Sequence, residues 1–373
     1  MKKTDLFKVN LVYFIVVCLF VVIRVLSSAN VFDFLGQIGS YILSVIIQLG
    51  LMFMLPLFLI SKFRKNTMGK TLEICSFKKI SLKEVFIAVG IGIVIFILNI
   101  ILSTILSFIF NLVGYNPNTM PGVSVEPTIL NLILSLIMTA LLPAVCEEFL
   151  HRGMLLSGYK VLGFKKAVVF SGLLFGLLHL NIGQFGFAFL VGMLLAVVTL
   201  FSKSIFPAMI IHFLNNGISV YLEYSLAKGL PVGNFYAGLS NFLFGGNLII
   251  SIITIVLVVS ILIFVLVLLL RTLLKINAQK SVNNFINIMA LNEMRRETLG
   301  DLATEEDNKF GEFAKGFSPQ NLFSNKRIEI PYEVLGFYMQ PVAKATKLDN
   351  LFFYSTIILG GLITLFTFIW GII

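Results

Sequence analysis

The chain is a succession of long apolar runs separated by short polar connections. A helix that crosses hydrocarbon needs about 20 mostly apolar residues. Nine runs approach or exceed that length, at roughly 8–28, 37–61, 84–113, 127–152, 167–182, 184–202, 206–226, 246–271 and 350–373. The fifth and sixth are short and nearly continuous, divided only near "NIGQFG". The expected fold is therefore all-α, a polytopic transmembrane helical bundle of about eight or nine spanning helices.

The connections carry charge asymmetrically. "KFRKNTMGKTLEICSFKKISLK", "YKVLGFKK", "SKS" and "RTLLK", after runs two, four, six and eight, are basic. "SSANVFDF", "YNPNTMPGVSVEP", "NIGQ" and "AKGLPVGNFYAG", after the odd-numbered runs, hold one Lys between them. Positive loops stay inside, so this multi-pass chain is expected in the cell membrane with a cytoplasmic N-terminus and, with nine spans, an outer C-terminus. The opening "MKKTDLFKVNLVYFIVVCLF" looks like a secretory signal, but no small-x-small cleavage site follows and further spans do, so it reads as an uncleaved first helix. Residues 1–83 then hold two transmembrane helices and a basic cytoplasmic loop, 227–274 a further transmembrane helix and 350–373 a C-terminal one. The polar, mixed-charge stretch 275–349 breaks the pattern; it reads as a cytoplasmic loop domain without a catalytic motif, suited to a protein partner. No internal repeat or low-complexity tract is present.

Composition narrows the partners. The chain is 58% hydrophobic and 12% charged, with mean hydropathy +0.99; soluble proteins carry about twice that charge density. The net charge of +10 sits in short loops, where it favours anionic lipid headgroups in the bilayer and gives no indication of nucleic acid. Cys18, Cys75 and Cys146 form neither a disulfide framework nor a metal spacing and read as small hydrophobes.

Ionisable groups are where chemistry enters. One within hydrocarbon costs at least ~2.5–3.5 kcal/mol, which marks it as a functional candidate. Runs four to seven contain Glu147, Glu148, His151, Arg152, His179, His212 and Glu223, among them all three histidines of the chain. Helical spacing pairs Glu148 with Arg152, Glu147 with His151, Phe175 with His179, and His212 with Asn216, each four residues apart. With the fourth helix ending near Leu156, Glu147 lies ~13 Å from the cytoplasmic end, His212 ~10 Å and His179 ~20 Å. The histidine is then too deep unless its helix is tilted or starts late. A carboxylate with an imidazole can deprotonate a water, while a second imidazole and a carboxamide can donate to an oxyanion. The same Glu147, His179 and His212 offer zinc three ligands and an open position; the residue types do not choose between the two. His151 is expected to snorkel to the interface and Glu223 to be solvated. Cys146 is expected to be inert, and the glycines of "FGLLHLNIGQFGFAFLVG" to serve close helix packing.

Glu147-Glu148-x-x-x-Arg152, Phe175-x-x-x-His179 and His212-x-x-x-Asn216 resemble, in order and spacing, the three motifs of the CPBP family. This family comprises the CAAX prenyl proteases and bacteriocin-processing enzymes, also called Abi intramembrane proteases. The resemblance covers about 84–226. It implies an endopeptidase site inside the bundle, open to the cytoplasm and acting on a membrane-associated peptide or protein. Glu147 and His179 would activate the water, His212 and Asn216 form the oxyanion site, Glu148 and Arg152 orient the base, and Phe175 shape the pocket. Members are described both as metalloproteases and as metal-free glutamate enzymes; the reading adopted is water activation without a firmly bound metal. The Lys-, Asn-, Ile- and Phe-rich composition looks bacterial and points away from a prenylated substrate. The rival readings are a catalytically silent scaffold or self-immunity protein of the same fold, and a proton-coupled transporter using the buried Glu and His.

Overall fold

A computed structural model of the chain describes residues 4–32, 34, 36–115, 126–244, 246–299, 345 and 347–370. They fall into two compact units, Met1–Leu273 with Val342–Ile373, and Leu274–Pro341. Of the expected loop domain 275–349, residues 275–299 continue a helix, and residues 300–344 lie outside the described ones. The described residues are helical or irregular and contain no strand.

Helix α1 spans Thr4–Ser28. Helix α2 is continuous but not uniform: it is α-helical over Gly36–Val45, π-helical over Ile46–Met54 and α-helical again over Leu55–Arg64. A short α3 (Met68–Ile74) lies in the basic loop. Helix α4 (Leu82–Leu112) starts on a capping box, in which the Glu84 carboxylate accepts from the Ser81 backbone N–H at 2.7 Å.

Helix α5 covers Ile129–Leu162. Its α-helical course passes through two π-helical stretches, Leu136–Leu141 and Phe149–Leu155. It is followed by α6 (Phe164–Leu178), α7 (Ile182–Ser202) and α8 (Phe206–Ala227), the last with Pro207 in its first turn, where a missing N–H costs nothing. Helices α9 (Pro231–Phe244), α10 (Leu248–Leu299) and α11 (Lys347–Trp370) complete the order.

Seven of these, α1, α2, α4, α5, α7, α10 and α11, contain a stretch long and apolar enough to cross a bilayer. Two expected spans do not qualify by themselves. Helix α6 has 15 residues, about 22 Å against the ~30 Å of hydrocarbon. Helix α8 has the length but carries His212, Asn215, Asn216 and Glu223. Both lie within the bundle, α6 against α7 and α8 against α4. The expected loop "AKGLPVGNFYAG" contains the start of α9 instead. Pro231 opens that helix, in its first turn, where a missing N–H costs nothing.

Ala88, Ile91 and Ile95 of α4, Val191, Leu195 and Val198 of α7, Ala208 and Ile211 of α8 and Leu273 of α10 form one apolar cluster. Elsewhere the apolar side chains turn outward: Ile249, Ile253, Val256 and Phe264 of α10 are each at least 60% exposed, the lipid-facing surface of a membrane helix.

Helices α6 and α7 approach closely at Gly172 and Gly192. A Cβ on Gly172 would stand 2.8 Å from the Met193 nitrogen and 2.9 Å from the Phe189 oxygen, both backbone atoms with no room to yield. Gly172→Ala is therefore expected to lower the unfolding midpoint in detergent, by the equivalent of about 1–3 kcal/mol. Gly217→Ala, whose nearest neighbours stand at 3.7 Å, should hold or raise that midpoint, because alanine suits a helix better.

Candidate active site

Helices α5 and α6 form a hairpin about Gly163, whose φ of +84° only glycine adopts readily. Helix α5 runs to Leu162, well past Leu156. Glu147 is thus 15 residues before the end of one arm, and His179, the C-cap of α6, 15 residues after Phe164 starts the other. At 1.5 Å per residue both stand about 22 Å from the turn. The depth mismatch expected from a shorter α5 disappears.

Glu148 and Arg152 are 0% and 1% exposed. The π turn between them preserves the pairing that the spacing predicts, with Arg152 Nη1 3.0 Å from Glu148 Oε1. His212 Nδ1 reaches the same oxygen at 2.8 Å, so one carboxylate ties α5 to α8. Arg152 Nη2 donates to the Gly192 carbonyl of α7 at 3.1 Å, and its guanidinium lies 4.3 Å above the Phe175 ring of α6. Gly192 is required here: its Cβ would meet Phe175 Cδ1 at 3.1 Å and Gly172 Cα at 2.9 Å. The Phe175 ring also takes all three histidines edge-on, with centroids at 5.0 Å for His151, 5.1 Å for His179 and 5.8 Å for His212.

Hydrogen-bond partners assign the imidazole tautomers. A carbonyl only accepts, so His179 Nδ1, 3.0 Å from the Phe175 oxygen, carries hydrogen and leaves Nε2 as a free base when the ring is neutral. His212 Nδ1 likewise donates to the Glu148 carboxylate, leaving Nε2 without a partner among the described residues.

His151 overturns the expectation of an interfacial residue. It is 0% exposed, because α5 continues through Leu162 and carries His151 inside. Its Nδ1 donates to the Glu147 carbonyl at 2.8 Å, and its Nε2 faces the Tyr13 hydroxyl of α1 at 3.1 Å. Tyr13 in turn donates to the Leu174 carbonyl of α6 at 2.9 Å.

The Glu147 side chain is half-buried, and among the described residues its carboxylate bonds no histidine. Its Oε1 accepts from Gln48 Nε2 of α2 at 3.0 Å. Asn216, one turn beyond His212, donates one amide hydrogen to the Thr139 carbonyl at 2.9 Å, within the π-helical turn Leu136–Leu141. Its oxygen accepts from Asn215 at 3.0 Å, and Asn215 accepts from Asn99 of α4 at 3.1 Å.

The structure thus brings Glu148, Arg152, His212, His179 and Phe175 into one contact set, with Glu147 beside it and Asn216 one turn away. Gln48 and Tyr13 are neighbours that spacing within runs four to seven did not reveal. A polar side chain deep in an apolar run was the available signal for Gln48.

Cys146 is fully buried. Burial pushes the Cys75 thiol, in the loop after α3, up to about 11, so it stays protonated near neutrality. Among the described residues no group of three or more His, Cys, Asp and Glu is placed to hold a metal ion. A zinc site takes three or four such ligands, and Glu147, His179 and His212 do not form one in this arrangement.

Residues 129–218 match a family model described as "Type II CAAX prenyl endopeptidase Rce1-like". Neither a curated protein nor a solved structure matches the chain. The matched stretch begins at the first residue of α5 and ends twelve residues into α8, enclosing every motif residue from Glu147 to Asn216. This stretch is a domain of the CPBP family, the CAAX-protease group of membrane proteins.

Proposed function

We propose that the protein is an intramembrane endopeptidase in which Glu147 and His179 activate a water for attack on a peptide carbonyl. The observation that carries this reading is the pair of matched arms in the α5–α6 hairpin. They set a half-buried carboxylate and a half-buried imidazole with a free Nε2 at one depth, inside a domain of a protease family.

In this reading the water donates one hydrogen bond to His179 Nε2 and gives its proton to Glu147 as its oxygen bonds to the carbonyl carbon. The developing oxyanion accepts from His212 Nε2–H, in the ring form charged against Glu148, and from the second amide hydrogen of Asn216. Glu147 then passes its proton to the leaving nitrogen, the C–N bond breaks, and an acid and an amine are released. Glu148 and Arg152 act at one remove: they hold His212 and the Phe175 ring, and Phe175 walls the site. The substrate is a membrane-associated peptide or protein segment. Entry from the cytoplasmic side is supported by Lys78, Lys160, Lys165, Lys166 and Lys203, which crowd the connections around the α5–α6 turn and the α8 start.

Purified full-length protein incubated with a quenched peptide library tests this. Glu147→Gln is expected to lower kcat by at least ~100-fold, the range of a lost general base. Cleavage should persist in the presence of a chelator. A Glu147→Gln protein as active as wild type would sink the assignment, and an intact in vivo phenotype without any cleavage would favour the scaffold reading.

The ion pair gives a separate stability test. Arg152→Met leaves the Glu148 carboxylate buried against His212 alone and should cost about 3–5 kcal/mol in detergent unfolding. The Glu148→Met/Arg152→Met double variant removes both charges and should recover most of that loss. Equal losses in the single and double variants would contradict a buried, mutually compensating pair.

A further inference from the structure

We infer that Gln48 is the positioning residue for Glu147, so that helix α2, outside the matched domain, completes the reaction centre; the inference rests on the reading of Glu147 as the base. Between Ser44 and Ser61, α2 is apolar apart from Gln48, its one amide, hydroxyl or charged side chain in that interval. A carboxamide buried there without a partner costs free energy and serves no packing need that leucine would not meet better. Gln48 lies in the π-helical stretch Ile46–Met54, which packs on Leu142–Glu148 of α5.

Gln48 Nε2 donates to Glu147 Oε1 at 3.0 Å. Among the described residues its own oxygen is buried without a partner, so there the bond to Glu147 is the one interaction that orients the carboxamide. Nothing else pulls it there. Glu147 has a long, rotatable side chain and makes no ion pair of its own among the described residues, where Arg152 is engaged by Glu148. One N–H held on Oε1 fixes the plane of the carboxylate and leaves Oε2 to receive the proton of the attacking water. Fixing the base in this way removes rotational freedom that would otherwise be lost in the transition state.

The experiment compares full-length wild type, Glu147→Gln and Gln48→Met by peptide cleavage and by infrared difference spectroscopy. Methionine matches glutamine in length, donates nothing and suits an apolar helix, so the fold is retained. Subtracting the Glu147→Gln spectrum isolates the Glu147 carboxylate band. Gln48→Met is expected to lower kcat roughly 10- to 100-fold, as for a lost hydrogen bond to a charged group, with KM within about two-fold. It should also move the carboxylate band to higher frequency, since the stretching mode loses a donor.

An unmoved band with unchanged kcat, in an enzyme that Glu147→Gln inactivates, overturns the role of Gln48 and leaves the protease reading standing. A raised KM with an unmoved band shows a structural role only and overturns it equally. Wild-type protein that cleaves no peptide removes the proposed function, and the positioning role with it.

Discussion

A guanidinium that is 1% exposed inside a bundle of membrane helices has to be surrounded by acceptors from several directions, and Arg152 is met from its own helix and from two others. Glu148 meets it along α5, the Gly192 carbonyl from α7 and the face of Phe175 from α6. Through Glu148 the set extends to His212 on α8. Each of these contacts is directional. In a membrane, where lipid tails are as apolar as leucine, directional bonds and close backbone approach take over much of what burial does in water. The glycines at 172 and 192 belong to the same requirement, because only without side chains do α6 and α7 come near enough to present a carbonyl to Arg152.

Much of this could be read from the residues in order. Apolar length located the helices, and four-residue spacing located the Glu148–Arg152 pair, because an i, i+4 contact survives a locally widened turn. The gathering of every histidine into four consecutive runs pointed to one place, and the three rings do share the edge of Phe175. The course of α5 beyond Leu156 was not legible. "YKVLGFKK" has the charge and the glycine of a connection, yet its first residues still belong to the helix. Six further residues of helix beyond Leu156 turn His151 from an interfacial group into a buried one. The π-helical stretches in α2 and α5 were equally hidden, since such a turn depends on how two helices meet and carries no composition of its own. Gln48 was hidden for a related reason: its partner is 99 residues away, beyond any local periodicity.

The N-terminal helices are more than an anchor for the matched domain. Tyr13 of α1 lies between His151 and the Leu174 carbonyl, so it touches both arms of the α5–α6 hairpin from outside. Asn10 of the same helix accepts from Tyr159 near the end of α5. At the C-terminal end of α2, Arg64 forms a two-point ion pair with Asp5 and reaches Ser157 of α5. Helices α1 and α2 therefore grip α5 at several levels through polar bonds, and the domain's polar interior is shared with a part of the chain that the family match does not include.

The equal arms of the hairpin about Gly163 impose a rule on how this chain can vary in length. A residue gained or lost in the turn itself displaces both arms alike and leaves Glu147 and His179 at equal counts from the ends of their arms. A residue gained between Glu147 and Leu162, or between Phe164 and His179, slides one partner past the other by about 1.5 Å and swings it through about 100°. Descendants of this sequence are thus free to lengthen the tip of the hairpin, while a single deletion inside either arm has to be answered by a matching deletion in the other. Two stretches that share no motif are bound to keep one common count.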